Sequence, residues 1–376
     1  MKLDNNIQAF FELVRGGLWE KEAQLAQYGD IDFSKILQIA TEQSVVGLVA
    51  AGLEHVTDVK VPQEWALQFV GQTLQIEQRN RAMNAFVAQL IEKFRENDIY
   101  ALLVKGQGIA QCYEKPLWRM SGDVDLFLSN ENYKKASCLL SEIAASTKEE
   151  NTYNQHLAMT IDGWEVELHG TLRSGLWKDL EKEIDQAQME VFNGGKMRSW
   201  MNGNTQVLLP AIDEDVFFVF SHILQHFFLE GIGLRQICDW CRLLWTYRDS
   251  IDLKLLERRL LQAGVISEWQ AFAAFAVQYL GIPKRAMPML GIPDNYNAKL
   301  NKKVERIREF VLTTGNFGHN RDYSYYRKYP YVIYKIISLW HHIKDTYQYA
   351  HIFLFDSLRV MWSRLRAGIS VFVSGK

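Results

Sequence analysis

Two short runs, Leu102-Leu-Val-Lys-Gly-Gln-Gly108 and Arg119-Met-Ser-Gly-Asp-Val-Asp-Leu126, carry the residue types best suited to chemistry in this chain. The first reads as a buried strand running into a glycine turn, the second as a strand bearing two carboxylates. Side chains alternate along a strand, so Asp123 and Asp125 share one face while Val124 and Leu126 point into a core. Carboxylates this close repel each other unless a cation sits between them. Their oxygens are hard ligands, suited to Mg2+ or Mn2+ and to the phosphates such ions carry. The Lys105-Gly106-Gln107-Gly108 turn, opening a helix, offers backbone N–H groups and one ammonium to a phosphate. A phosphate turn beside a metal-binding acid pair is the layout of phosphoryl or nucleotidyl transfer.

The elements that must hold these residues are legible around them. His156–Ile161 and Trp164–Leu168 alternate as strands about Asp162-Gly163, a two-residue hairpin signal. On the second strand Trp164, Val166 and Leu168 share one face, and Glu165, Glu167 and His169 the other. Laid beside the Asp123 strand, that second face completes a metal site; the same alternation also suits a solvent-facing strand edge. Val124, Leu126, Val166 and Leu168 must all face the core, which puts the acids together on the opposite side. The strand at Ile99–Val104 leads to a brief helix over Gly108–Tyr113 that Pro116 breaks, and Ser129 can cap a helix around Tyr133–Ala144.

Residues 4 to about 95 read as helical, with Phe10, Phe11, Leu13 and Val14 on one stripe, Asp32 or Ser34 capping a second helix and Pro62 opening another. From Leu209 the chain is helical again. Asp213 is expected to cap Val216–Phe228, Gly231 and Gly233 break it, and Leu234–Trp245 follows with Arg235 and Asp239 one turn apart, able to pair. His222 reads first as a core histidine and second as a catalytic one. The fold class is therefore α+β: a small mixed sheet over residues 96–205, flanked by helical regions at 1–95 and 206–376.

These residues resemble the nucleotidyltransferase superfamily of the DNA polymerase β type, whose signature is a Gly-centred turn followed by Asp-x-Asp. More narrowly, the chain is similar to bacterial nucleotidyltransferase-like proteins, themselves uncharacterised, that carry Lys-Gly in place of Gly-Ser and an Arg before a Gly-Asp-hydrophobic-Asp strand. The matching positions are Lys105, Gly106, Arg119, Gly122, Asp123 and Asp125. The resemblance implies a third carboxylate two residues before a histidine, which falls on Glu167 with His169. It implies transfer of NMP from an NTP, such as ATP, to an acceptor hydroxyl or phosphate, with release of pyrophosphate. Asp123, Asp125 and Glu167 would then hold two Mg2+ or Mn2+ ions, Gly106 and Gly108 would admit the phosphates, Lys105 would offset charge on the leaving group, and Arg119 would grip a phosphate. The replaced Gly-Ser keeps a second reading open, a non-catalytic nucleotide-binding or toxin–antitoxin-type interaction protein that retains the fold.

Across 376 residues, 48% hydrophobic and 23% charged with a net charge of −2, the chain is an ordinary globular one with no global attraction to nucleic acid. No apolar run approaches the ~18 residues of a membrane span and no leader-like segment opens the chain, so a cytoplasmic protein is expected. Four cysteines are too few for a disulfide framework. Cys238 and Cys241, with His222 and His226, make a zinc set on paper, but both spacings also arise from helix packing. From Arg321 the chain is aromatic and basic, nine Lys/Arg against three Asp. That stretch reads as a helical cap packed on the domain, or alternatively as a membrane-surface helix or a face toward a polyanion.

Overall fold

The computed structural model describes residues 4–151, 154–194, 196–290, 298–316 and 349–362. Most of the basic aromatic C-terminal stretch therefore lies outside the described residues.

Four helices open the chain: α1 (Asn5–Trp19), α2 (Phe33–Glu42), α3 (Val46–Leu53) and the long α4 (Gln63–Arg95). The Asp4 and Asp32 carboxylates accept the free N–H groups of the first turns of α1 and α2, so each helix begins at an acid. Gly17 and Gly52 let α1 and α3 touch backbone to backbone; a Cβ on Gly17 would lie 2.0 Å from the Leu48 carbonyl oxygen.

The central unit alternates β1 (Ala101–Val104), α5 (Gly106–Ala110), β2 (Asp123–Leu128), α6 (Asn130–Ser141), β3 (Ser146–Thr147), β4 (His156–Ile161), β5 (Trp164–His169), α7 (Lys178–Gly194), β6 (Arg198–Asn202) and β7 (Thr205–Leu209). They form one seven-stranded mixed sheet in the order β3-β4-β5-β2-β1-β7-β6. The pairs β2–β5 and β1–β7 are parallel, and the other pairs antiparallel. Asp162 and Gly163, both at positive φ, make the two-residue turn of the β4–β5 hairpin. The β6–β7 hairpin about Gly203-Asn204 and the helix α7 extend this unit beyond what the sequence pattern predicts.

Helices cover both faces of the sheet. One face, with Leu103, Val124, Leu126, Leu128, Val166 and Leu168, packs on Met83, Phe86, Leu90 and Phe94 of α4 and on Tyr133, Ala136 and Leu140 of α6. On the other face Leu102, Val104 and Phe127 join a larger core with α7 and the C-terminal helices α8 (Ile212–Leu229) and α9 (Leu234–Tyr247). Phe127 meets Phe192 of α7 and Phe218 of α8 at ring-centroid distances of 4.7 and 6.3 Å. The helices α10 (Leu253–Ala263), α11 (Ile266–Phe275) and α12 (Ala298–Thr314) complete this core, into which Tyr349, Ile352 and Phe353 also pack. Among the described residues no single helix is long and apolar enough to cross a membrane.

Asp213 does not cap α8, which starts at Ile212 after Ala211; its Oδ1 accepts the Asp252 N–H instead, tying α8 to α10. Arg235 and Asp239 do not pair either. Asp239 turns to Arg119, and Arg235 donates to the Met120 carbonyl, because the segment before β2 docks on α9 between them.

Candidate active site

The site grows from the pairing of β2 with β5. Parallel register sets Asp123 against Glu165, Asp125 against Glu167 and Phe127 against His169. Val124, Leu126, Val166 and Leu168 are all but fully buried in the opposite face, so the acids are forced to one side. Asp123, Asp125 and Glu167 each offer an oxygen, and these atoms lie within 4.8 Å of one another. They line a cavity of about 570 Å³ between the sheet and the helices α8 and α9.

Lys105 reaches this cluster from the end of β1. Its Nζ donates to Asp125 Oδ1 at 2.8 Å. Its backbone, at φ 56° and ψ −144°, lies where glycine is at ease and a lysine is strained. Gly106, at φ 39°, follows it and lines the cavity; a Cβ there would lie 3.6 Å from the Asp123 carbonyl oxygen. Gly122, with open space about it, also lines the cavity. Gly108 does not. It is buried, and a Cβ there would meet Leu209 Cδ2 at 2.8 Å, so its missing side chain serves the packing of α5 on β7 rather than a phosphate.

Electrostatics separates the acids. The charge of Asp125, with burial, pushes Asp123 up to about 6. Burial would raise Asp125 as well, but the Lys105 ammonium and His169 outweigh it and hold this carboxyl below the usual range. Burial also opposes the charge on Lys105, yet Asp125 and Asp123 keep its pKa above the ordinary lysine value. Glu167 is held below the ordinary value, against its burial, by its bond to His156. A group of three carboxylate oxygens suits a hard divalent cation, and the residues present fit one.

Two imidazoles border the acids. His169 Nε2 lies 2.9 Å from Asp125 Oδ1 and 3.5 Å from Glu167 Oε2. His156 Nε2 lies 3.0 Å from Glu167 Oε2. The sequence reading missed His156, although its place can be counted back from the turn: in the hairpin register His156 opposes His169. Burial holds His169 below the ordinary histidine value. Glu165 pairs with Lys148 toward solvent.

Across the cavity, His222 bonds His226 at 2.9 Å between their Nε2 atoms, and burial with the nearby Lys105 charge keeps His222 neutral well below its ordinary pKa. The zinc set does not assemble. Cys238 and Cys241 are fully buried in α9, burial pushes both thiols up, and neither belongs to a metal-capable cluster among the described residues.

Arg119 corrects another expectation. Its Nε and Nη2 donate to the two oxygens of Asp239 at 2.8 and 2.6 Å, Nη1 donates to Ser121 Oγ, and the Tyr113 hydroxyl donates to the same Asp239. The fork that would clasp a phosphate is spent on a buried structural pair. Arg119 and Arg235 both line the cavity, and the charge of Arg235 acts on Asp123.

No curated protein and no solved structure matches the chain. A family model described as uncharacterised nucleotidyltransferase matches residues 29–281, well over half the chain and all of the sheet that carries the acids. The chain belongs to that nucleotidyltransferase family.

Proposed function

We propose that the protein transfers a nucleoside monophosphate from an NTP to an acceptor hydroxyl or phosphate and releases pyrophosphate. The observation that carries this reading is the meeting of Asp123, Asp125 and Glu167 within 4.8 Å in a cavity, beside the Lys105 ammonium. Asp123 and Asp125 would hold Mg2+ or Mn2+, which when bound screens the triphosphate and acidifies the attacking group. Lys105, with Arg235 across the cavity, offsets the negative charge that builds on the departing pyrophosphate. Glu167, held ionised by its neighbours, is placed to take up the acceptor's proton. The closed face beneath, packed by Val124 and Val166, excludes water from one side of the reacting groups. The cleft toward α8 and α9 leaves room for the acceptor.

The alternative, a binding or toxin–antitoxin-type protein that keeps the fold, draws on one observation. The Lys105 ammonium already supplies Asp125 with a counter-charge from the chain itself. Incubating the protein with each α-labelled NTP, Mg2+ or Mn2+ and cell lysate decides between them. The transferase puts label into an acceptor and releases pyrophosphate, and Asp125→Asn reduces this by at least about a thousandfold while the circular dichroism spectrum stays that of the wild type. Wild-type turnover in Asp125→Asn sinks the assignment of the metal ligands. Absence of label transfer from all four NTPs favours the binder.

A further inference from the structure

The two histidines beside the acids are not needed to hold an oxygen-seeking ion, and their geometry asks for another. We propose that His156, Glu167 and His169 form an imidazole-bearing metal position next to the Asp123/Asp125 carboxylates, one that takes a divalent first-row transition ion such as Mn2+, Co2+ or Zn2+ in preference to Mg2+. This deepens the transferase reading, on which its catalytic meaning rests, while the site itself stands on the arrangement of the hairpin.

That arrangement follows from register. His156 opens β4 and His169 closes β5, directly opposite each other across the antiparallel pair, and Glu167 lies two residues before His169 on the same face. The cross-strand neighbour of Glu167 is Ala158, whose methyl leaves the carboxylate open to both rings. The rings stack with centroids 4.9 Å apart and 30° between their planes. Each presents Nε2 to the same oxygen, Glu167 Oε2, at 3.0 and 3.5 Å.

Those spacings are the ones a metal requires. Bonds of about 2.0–2.2 Å put neighbouring ligand atoms about 3.3–3.5 Å apart in a tetrahedral site and roughly 3 Å apart in an octahedral one. The three ligand atoms lie within 4.8 Å of one another, and side-chain rotation is what would draw them onto an ion. Without a metal, a proton must lie between each nitrogen and the carboxylate; with one, the ion replaces those protons and both rings bind as neutral imidazole. All three residues line the cavity, so the position is open to solvent.

Donor chemistry sets the preference. Imidazole nitrogen suits Zn2+ and Co2+ best; Mn2+, though at home on oxygen, takes an imidazole more readily than Mg2+, which retains oxygen ligands and several waters. Charge agrees. Lys105 offsets one of the three carboxylates, and a single divalent ion offsets the other two. An ion that arrives on the triphosphate brings its own counter-charge. Asp125 Oδ1, 2.9 Å from His169 Nε2, joins the oxygen-only and the mixed positions.

Mn2+ added to the chelator-stripped full-length protein provides the test, read by pulsed EPR for coupling to 14N and by titration calorimetry. The expected result is 14N modulation in the wild type, weaker modulation in His156→Ala, and a loss of Mn2+ affinity of at least about tenfold in that variant with Mg2+ affinity changed less than about twofold. The wild-type spectrum needs no variant to fold, and His156 is half-buried at the start of a strand, where alanine is tolerated. Absence of 14N coupling in the wild type, or equal loss of Mn2+ and Mg2+ binding, overturns the site. A protein with 14N-coupled Mn2+ but no label transfer from any NTP keeps this metal position and sinks the transferase. Transfer with Mg2+ and no 14N coupling does the reverse.

Discussion

Lys105 is the residue where local strain and site chemistry are most directly opposed. A lysine at φ 56° and ψ −144° costs about 1–3 kcal/mol relative to a glycine. Its ammonium, in return, compensates an Asp125 carboxylate that is 3% exposed. Leaving a buried charge unpaired costs roughly 3–5 kcal/mol, so the ion pair outweighs the strain. Lys105→Gly is therefore expected to melt lower than the wild type without divalent ions, despite its easier backbone. Added Mn2+ should raise the variant's midpoint more than the wild type's, because the ion no longer shares Asp125 with an ammonium. Thermal melts with and without Mn2+ measure both effects, and an unchanged midpoint in metal-free buffer refutes the argument. At this scale the sequence was informative where period-two alternation and one turn fix a face, as for Asp123, Asp125, Glu167 and His169. It was silent on the partner of Arg119, because nothing local to that residue announces one 120 positions away.

That partner belongs to the element scale, where the segment before β2 is clamped on α9. Arg119, Asp239 and Tyr113 form a buried group in which one carboxylate accepts from a guanidinium and a phenol. Burial would lower the charge on Arg119, but Asp239 holds its pKa above the ordinary arginine value. Asp239→Ala leaves both donors without that acceptor, and a loss of about 3–5 kcal/mol is expected. The double variant Arg119→Met/Asp239→Leu should lose less, since a buried pair exchanged for apolar side chains is nearly neutral. Chemical denaturation of the three proteins checks this ordering. If the double variant also retains label transfer, Arg119 positions β2 and touches no phosphate; complete loss of transfer in a stable double variant returns Arg119 to the phosphates. Hairpins show why elements were read unevenly. Asp162-Gly163 sits between two strictly alternating runs and was legible. Gly203-Asn204 is an equally good turn, but Arg198–Asn202 has exposed and half-buried residues only, so its pattern does not announce a strand.

At the scale of the whole molecule, one apolar cluster runs from Phe10 and Phe11 of α1 through α8, α9 and α11 to Val304 and Ile307 of α12 and to Phe353. The sequence could not show this continuity, since helices with several apolar faces do not say which neighbour each face meets. Glu268 of α11 lies in that region at 1% exposure, beside the Asp356 carboxyl. Burial, and then the adjacent Asp356 carboxyl, push its pKa well above the ordinary glutamate value of 4.5, against the pull of Lys303. The folded protein thus keeps this proton at pH values where the unfolded chain has lost it. Above about pH 4.5 the native state binds more protons than the unfolded one, and stability falls with rising pH by up to about 1.4 kcal/mol per pH unit until the folded carboxyl ionises. The contribution is fully present at low pH and is lost as pH rises. Glu268→Gln carries the same shape without a proton to lose. Its melting midpoint is expected to match the wild type's near pH 4.5 and to exceed it increasingly toward pH 8. Parallel midpoint-versus-pH curves for the two proteins would show that the buried carboxyl is ionised in the fold and that its charge is compensated by Lys303.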